Sequence, residues 1–131
     1  RMFHELDAES KAEFYSRDPK KSVKYNSNYD LYESPTAYWS DTISCHFDKL
    51  MDPEELPSVC RAEMLNYHQH VMTLVEMLCE LLSEALGLPS SYLKNINSTE
   101  SQLLAAHNYP PCPEPTLTLG MPKHIDPSFL T

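Results

Sequence analysis

His107-Asn108-Tyr109-Pro110-Pro111-Cys112-Pro113-Glu114-Pro115-Thr116-Leu117-Thr118-Leu119-Gly120, continued after Met121-Pro122 by Lys123-His124-Ile125-Asp126, is the stretch on which the reading of this chain turns. Its prolines cannot donate backbone hydrogen bonds and hold the chain extended. From Thr116 to Met121, Leu117 and Leu119 alternate with threonine, the period of a strand. His124 and Asp126 are two residues apart, so in extended chain both side chains point to one side, with Cα atoms roughly 7 Å apart.

Just before this stretch, Leu103-Leu104-Ala105-Ala106 reads as a buried strand over 102–109. Before it, Asp52-Pro53-Glu54-Glu55 has the cap, proline and early acids of a helix start, with a second start possible at Pro57-Ser58. From there to Leu86 the sequence predicts a helix of about thirty residues, about 45 Å long. Leu65, Met72, Val75, Leu78, Leu82 and Leu86 form its apolar stripe, and Gly87 sits where a left-handed cap belongs. Pro89 to Leu93 reads as a short second helix. Near the start, residues 2–15 read as a helix ended by Asp18-Pro19, on the stripe Met2, Phe3, Leu6 and Phe14. Val23 and Tyr25, then Ile43, Cys45 and Phe47, mark two strands around a turn at Asn26 to Asp30, and Trp39 reads as core. Helices first and strands later imply an α+β fold with its sheet at the C-terminal end.

A net charge of -9 sets nucleic acid and anionic membrane surfaces aside as partners. No apolar run is long enough to span a bilayer. Four cysteines, at 45, 60, 79 and 112, form no C-x-x-C pair, which points away from a zinc module and toward a reducing, cytoplasmic setting. Asn97-Ser98-Thr99 matches a glycosylation sequon, read as chance in a chain with no leader pattern. The start at Arg1 and the stop inside Phe129-Leu130-Thr131, which reads as an opening strand, suggest a piece of a longer protein.

An imidazole and a carboxylate on one side of the chain can share a metal ion. With one more histidine they make the 2-His-1-carboxylate face of non-haem Fe(II) oxygenases, which leaves positions open for a co-substrate and O2. The tripeptide alone more often means a strand-end histidine beside a solvated aspartate. Its context shifts that weighing. The Tyr109-Pro110-Pro111-Cys112-Pro113 run, the Thr118-Leu119-Gly120 strand and His124-Ile125-Asp126 resemble, in order and spacing, the plant 2-oxoglutarate/Fe(II)-dependent dioxygenase family. Glu13 to Asp18, Tyr25 to Tyr32 and Leu81 to Leu88 extend the resemblance to the branch called 1-aminocyclopropane-1-carboxylate oxidase homologues, a name that records similarity and does not imply ethylene synthesis.

That resemblance implies a double-stranded β-helix (jelly roll) with helices outside it and the long helix as support. Residues 1–101 would be the helical N-terminal region and 102–131 the start of the β-helix domain. His124 and Asp126 would be the first two iron ligands, and Tyr109 would border 2-oxoglutarate. Many relatives carry asparagine where this chain has His107. The implied reaction oxidises a small organic substrate with Fe(II), O2 and 2-oxoglutarate, releasing succinate and CO2, with ascorbate as a helper. The family's second histidine ligand and the arginine of its R-x-S motif lie well downstream of H-x-D, so residues 1–131 alone are expected to be inactive. The competing reading is a non-catalytic truncated copy or interaction remnant, using the exposed stripe of the long helix.

Among the remaining candidates, His68 and His70 are two apart on a helix, point to opposite sides and do not chelate. Cys112 reads as a small packed side chain, as do Cys60 and Cys79 on the long helix. His4 and His46 receive no role.

Overall fold

The computed structural model describes residues 2–28, 32, 34–48, 51–96, 101–126 and 128–131. The turn residues Tyr29 and Asp30 and the sequon at Asn97 lie outside the described residues. The architecture is mixed helix and strand, built on an antiparallel sheet.

Three strands carry the sheet: β1 (Val23–Ser27), β3 (Asp41–Phe47) and β4 (Gln102–Asn108), in the order β1-β3-β4. A second, two-stranded sheet pairs β2 (Ala37–Tyr38) in parallel with β5 (Thr118–Leu119). The expectation of a C-terminal sheet is therefore corrected, because two of the three main strands come from the first 47 residues. The period-2 signal found β1 and β3. It could not show that Phe47 pairs with Gln102 across the long helix.

Val23, Tyr25, Ile43, Cys45 and Phe47 are buried on one face, as the alternation requires. Val23, Cys45, Phe47, Leu56 and Met64 form one core cluster, while Phe3, Tyr25 and Ile43 form a second. Burial, helped by the nearby carboxylates of Glu55 and Asp48, pushes the Cys45 thiol up to about 12. The opposite face also carries buried groups, and these are polar: Asn26, Thr42 and Ser44. β4 is an edge strand with Leu103 at 58% exposure, so its apolar run is covered on one face only, where Leu104 meets the core. That corrects the reading of 102–109 as a buried strand.

The first helix is shorter than the 2–15 reading. A 3-10 turn over Phe3–Glu5 stops at Leu6, and Asp7 starts α1 (Ala8–Ala12) by accepting the Ser10 amide at 2.7 Å. Aspartate caps a helix better than it continues one, which is why the segment divides there. Beyond α1 the chain straightens: Tyr25 N–H donates to the Phe14 carbonyl at 2.8 Å.

A second 3-10 turn, Pro53–Glu55, is capped by Asp52, but the long helix α2 begins only at Arg61 and runs to Ala85. At 25 residues it is about 37 Å long. The Arg61 guanidinium grips the Glu54 carboxylate at 2.6 Å and the Leu56 carbonyl, holding the start of α2 against the turn. The first half of α2 covers the sheet. Met64 is buried there, and His68 stacks on Phe47 with ring centres 4.2 Å apart. The second half packs on α3 (Tyr92–Asn95), where the Ser83 hydroxyl donates to the Cys79 carbonyl and accepts the Leu93 amide. The predicted stripe is half-buried at Leu65, Met72 and Val75, yet exposed at Leu78, Leu82 and Leu86.

Gly87 ends α2 as expected, with φ +72°. Its amide donates to Glu84 O and the Leu88 amide to Ser83 O, the paired bonds of a Schellman cap. Nothing lies within 4 Å of an added methyl group, so Gly87→Ala tests backbone strain alone. It is expected to cost about 1–2 kcal/mol in chemical unfolding.

His4 received no role from the sequence, yet it docks the N-terminal turn on the edge strand. Its Nε2–H donates to the Ala106 carbonyl at 3.2 Å, and its buried Nδ1 has no hydrogen-bond partner among the described residues. Burial lowers its pKa, against the opposing pull of the Ala106 carbonyl. The folded state therefore holds fewer protons than the unfolded chain below the ordinary value of 6.5. The stability gained by keeping the ring neutral is full above that value and is lost as pH falls below it. Denaturation midpoints compared at about pH 7 and about pH 5 are expected to drop more in the wild type than in His4→Gln.

Among the described residues, no helix is long and apolar enough to cross a membrane.

Candidate functional site

β5 spans two residues of the expected Thr116–Met121 strand, because only Thr118 and Leu119 face β2. Pro115 and Pro122 bracket it and can extend no ladder. Cys112 is half-buried, with its sulfur 3.2 Å from the Thr118 hydroxyl, the small packed side chain that was expected.

Past β5 the backbone is irregular, not strand, through Lys123-His124-Ile125-Asp126. His124 and Asp126 nevertheless turn to the same side, with Nε2 3.3 Å from Oδ1 and each side chain about half exposed. His124 Nδ1 lies 3.0 Å from the Pro122 carbonyl. A carbonyl only accepts, so Nδ1 carries the hydrogen in this contact, and Nε2 is the nitrogen turned to Asp126. Nε2 faces the carboxylate oxygen at 3.3 Å, a contact that either an Nε2–H hydrogen bond or a shared metal ion satisfies. Two neighbouring ligands on an octahedral ion with bonds of about 2.1 Å lie about 3.0 Å apart, so the pair fits two such positions. The carbonyl bond to the far nitrogen is the support that metal-bound histidines usually have. Among the described residues, no group of three or more metal-ligating side chains forms.

Tyr109 follows the end of β4, half exposed. Its ring lies against Gly120, where an added methyl group would sit 3.5 Å from Cδ1. Gly120 is four residues ahead of His124 in the chain. His107 lies two residues before Tyr109, their ring centres 6.1 Å apart. Thr42 is its direct cross-strand neighbour, and the Thr42 hydroxyl holds His107 Nδ1 at 2.9 Å.

Trp39 corrects the core reading, since it is 37% exposed. Its indole N–H donates to the Pro110 carbonyl at 3.0 Å and its backbone N–H to the Leu119 carbonyl at 2.7 Å. Hydrophobicity alone places a lone tryptophan in the core, and no local pattern announces bonds to residues far along the chain. Thr42 was missed for the same reason.

His68 and His70 behave as expected: His68 is turned to Phe47 and Gln102, while His70 is exposed. His46 contributes its backbone amide to Ser22 O.

No protein-family profile matches the chain. Its similarity to curated proteins runs over its whole length, and these relatives support the plant 2-oxoglutarate/Fe(II)-dependent dioxygenase family that the motifs resemble. It is 52% identical over 132 residues to "1-aminocyclopropane-1-carboxylate oxidase homolog 1" of Arabidopsis thaliana, covering 100% of this chain and 36% of that protein. It is 51% identical over 135 residues to homolog 11 of the same plant, and 47% identical over 136 residues to a "Probable 2-oxoacid dependent dioxygenase", in each case covering 100% of this chain and 37% of the relative. The chain thus spans little more than a third of the length of the curated relatives it matches.

Proposed function

We propose that the full-length protein carrying this sequence is an Fe(II)- and 2-oxoglutarate-dependent dioxygenase that oxidises a small organic substrate. The observation that carries the reading is the His124–Asp126 pair, with its donors 3.3 Å apart and the far imidazole nitrogen tied to Pro122. His124 Nε2 and an Asp126 oxygen would hold the metal at two neighbouring positions. Tyr109 would flank the co-substrate. Bound iron with 2-oxoglutarate supplies the O2 activation, leaving succinate and CO2 as co-products; ascorbate as a helper belongs to the same proposal.

Residues 102–131 would lead into a double-stranded β-helix, with the sheet of β1, β3 and β4 as its first wall. α2 would support it, docking the exposed side chains of Leu78, Leu82 and Leu86. Four cysteines free of disulfides suit a cytoplasmic setting. For residues 1–131 taken by themselves, the second reading, a non-catalytic module, is favoured by the lack of a third ligand group among the described residues.

The test is anaerobic Fe(II) loading, then O2-driven succinate formation from 2-oxoglutarate, on the full-length protein and on residues 1–131. Succinate from the first and none from the second is the expected result. A metal-loaded full-length protein that never decarboxylates 2-oxoglutarate sinks the proposal.

A further inference from the structure

We infer that Trp39 is a positioning residue of the proposed site: it clamps the Tyr109–Pro110 segment to the β5 segment that leads into His124 and Asp126. The inference rests on the dioxygenase reading for the identity of the ligand and on geometry for the clamp.

The run after Tyr109 is poor in means of attachment. Pro110, Pro111, Pro113 and Pro115 have no backbone N–H, so the segment cannot be laced to a neighbouring strand by its own donors. Its carbonyls remain, and the Pro110 carbonyl is taken by the indole N–H of Trp39 at 3.0 Å. The same residue's backbone N–H holds the Leu119 carbonyl at 2.7 Å. One residue thus joins two stretches nine positions apart, next to the place where Gly120 meets the Tyr109 ring.

The clamp is itself braced. Asn28, at φ 54°, donates its backbone N–H to Ser40 O and accepts the Tyr38 N–H on its side-chain oxygen, each at 3.0 Å. These bonds flank Trp39 on both sides and tie it to the end of β1. β2 and β5 pair over two residues only, so this contact is a large part of what sets their relative position. At 37% exposure the indole is not held there by burial alone. Its hydrogen bond gives it direction.

Trp39→Phe keeps an aromatic ring and the backbone bond to Leu119 but removes the donor to Pro110. It should be made in the full-length protein and read three ways: Fe(II) affinity, 2-oxoglutarate affinity of the Fe(II)-loaded protein by anaerobic calorimetry, and hydrogen exchange over residues 117–126. The expected result is Fe(II) affinity within about twofold of wild type, 2-oxoglutarate binding weakened about tenfold, and faster exchange over 117–126. Unchanged exchange together with unchanged 2-oxoglutarate affinity overturns the inference. So does a parallel loss of both affinities and of thermal stability, the mark of a merely structural tryptophan. If wild type binds no 2-oxoglutarate, the dioxygenase reading fails; faster exchange in the variant then still upholds the clamp, and unchanged exchange removes it too.

Discussion

His124→Ala in the full-length protein is expected to weaken Fe(II) binding by more than the roughly 10–100-fold that loss of a mere outer-shell partner costs. The imidazole nitrogen is one of the two donors that this part of the chain offers, and alanine leaves the Asp126 carboxylate to act without it. Anaerobic Fe(II) titration measures the change. His70→Ala is the control, because His70 is exposed on α2 and touches none of the candidate site. Equal Fe(II) affinity in wild type and His124→Ala would remove H-x-D from consideration as the metal site. The 3.3 Å contact would then be an ordinary surface pairing of a histidine with an aspartate.

The largest expected effect on stability is at Phe47, which is 4% exposed and packs with Val23, Cys45, Leu56 and Met64. Its ring also lies flat on His68, with an interplanar angle of 7°. Truncation to alanine removes the ring and leaves a void between β3 and α2, for an expected loss of about 3–5 kcal/mol. Against a typical total of about 5–15 kcal/mol, that brings the fold close to unfolding. Urea unfolding of wild type and Phe47→Ala checks it, with Phe129→Ala, at 54% exposure, expected to stay within about 0.5 kcal/mol. A loss at Phe47 under about 1 kcal/mol would mean that α2 does not pack on this sheet as described.

Local patterns proved readable where physics is local. Alternation marked the inward residues of β1 and β3, and Gly87 marked the helix end because few other residues tolerate its backbone angle. The two-residue spacing of His124 and Asp126 gave the correct shared side, although the backbone there is irregular. Non-local choices were not legible. Nothing within 41–47 says that β4, more than fifty residues later, will pair with it. The Leu103–Ala106 run looked buried because hydrophobicity reports what a side chain prefers, not what covers it. Trp39 was misplaced for the opposite reason: its polar N–H, which decides its position, has no weight in an apolar pattern.

Cys45 carries a consequence for the chain's covalent life. A thiol pushed up to about 12 has almost no thiolate at neutral pH, and the thiolate is the form that peroxide and alkylating agents attack. With the residue 0% exposed on the central strand, such reagents meet it only when the sheet comes apart. The folded chain therefore keeps this thiol sealed from such reagents. Its modification by an added alkylating agent is expected to report that the core has opened.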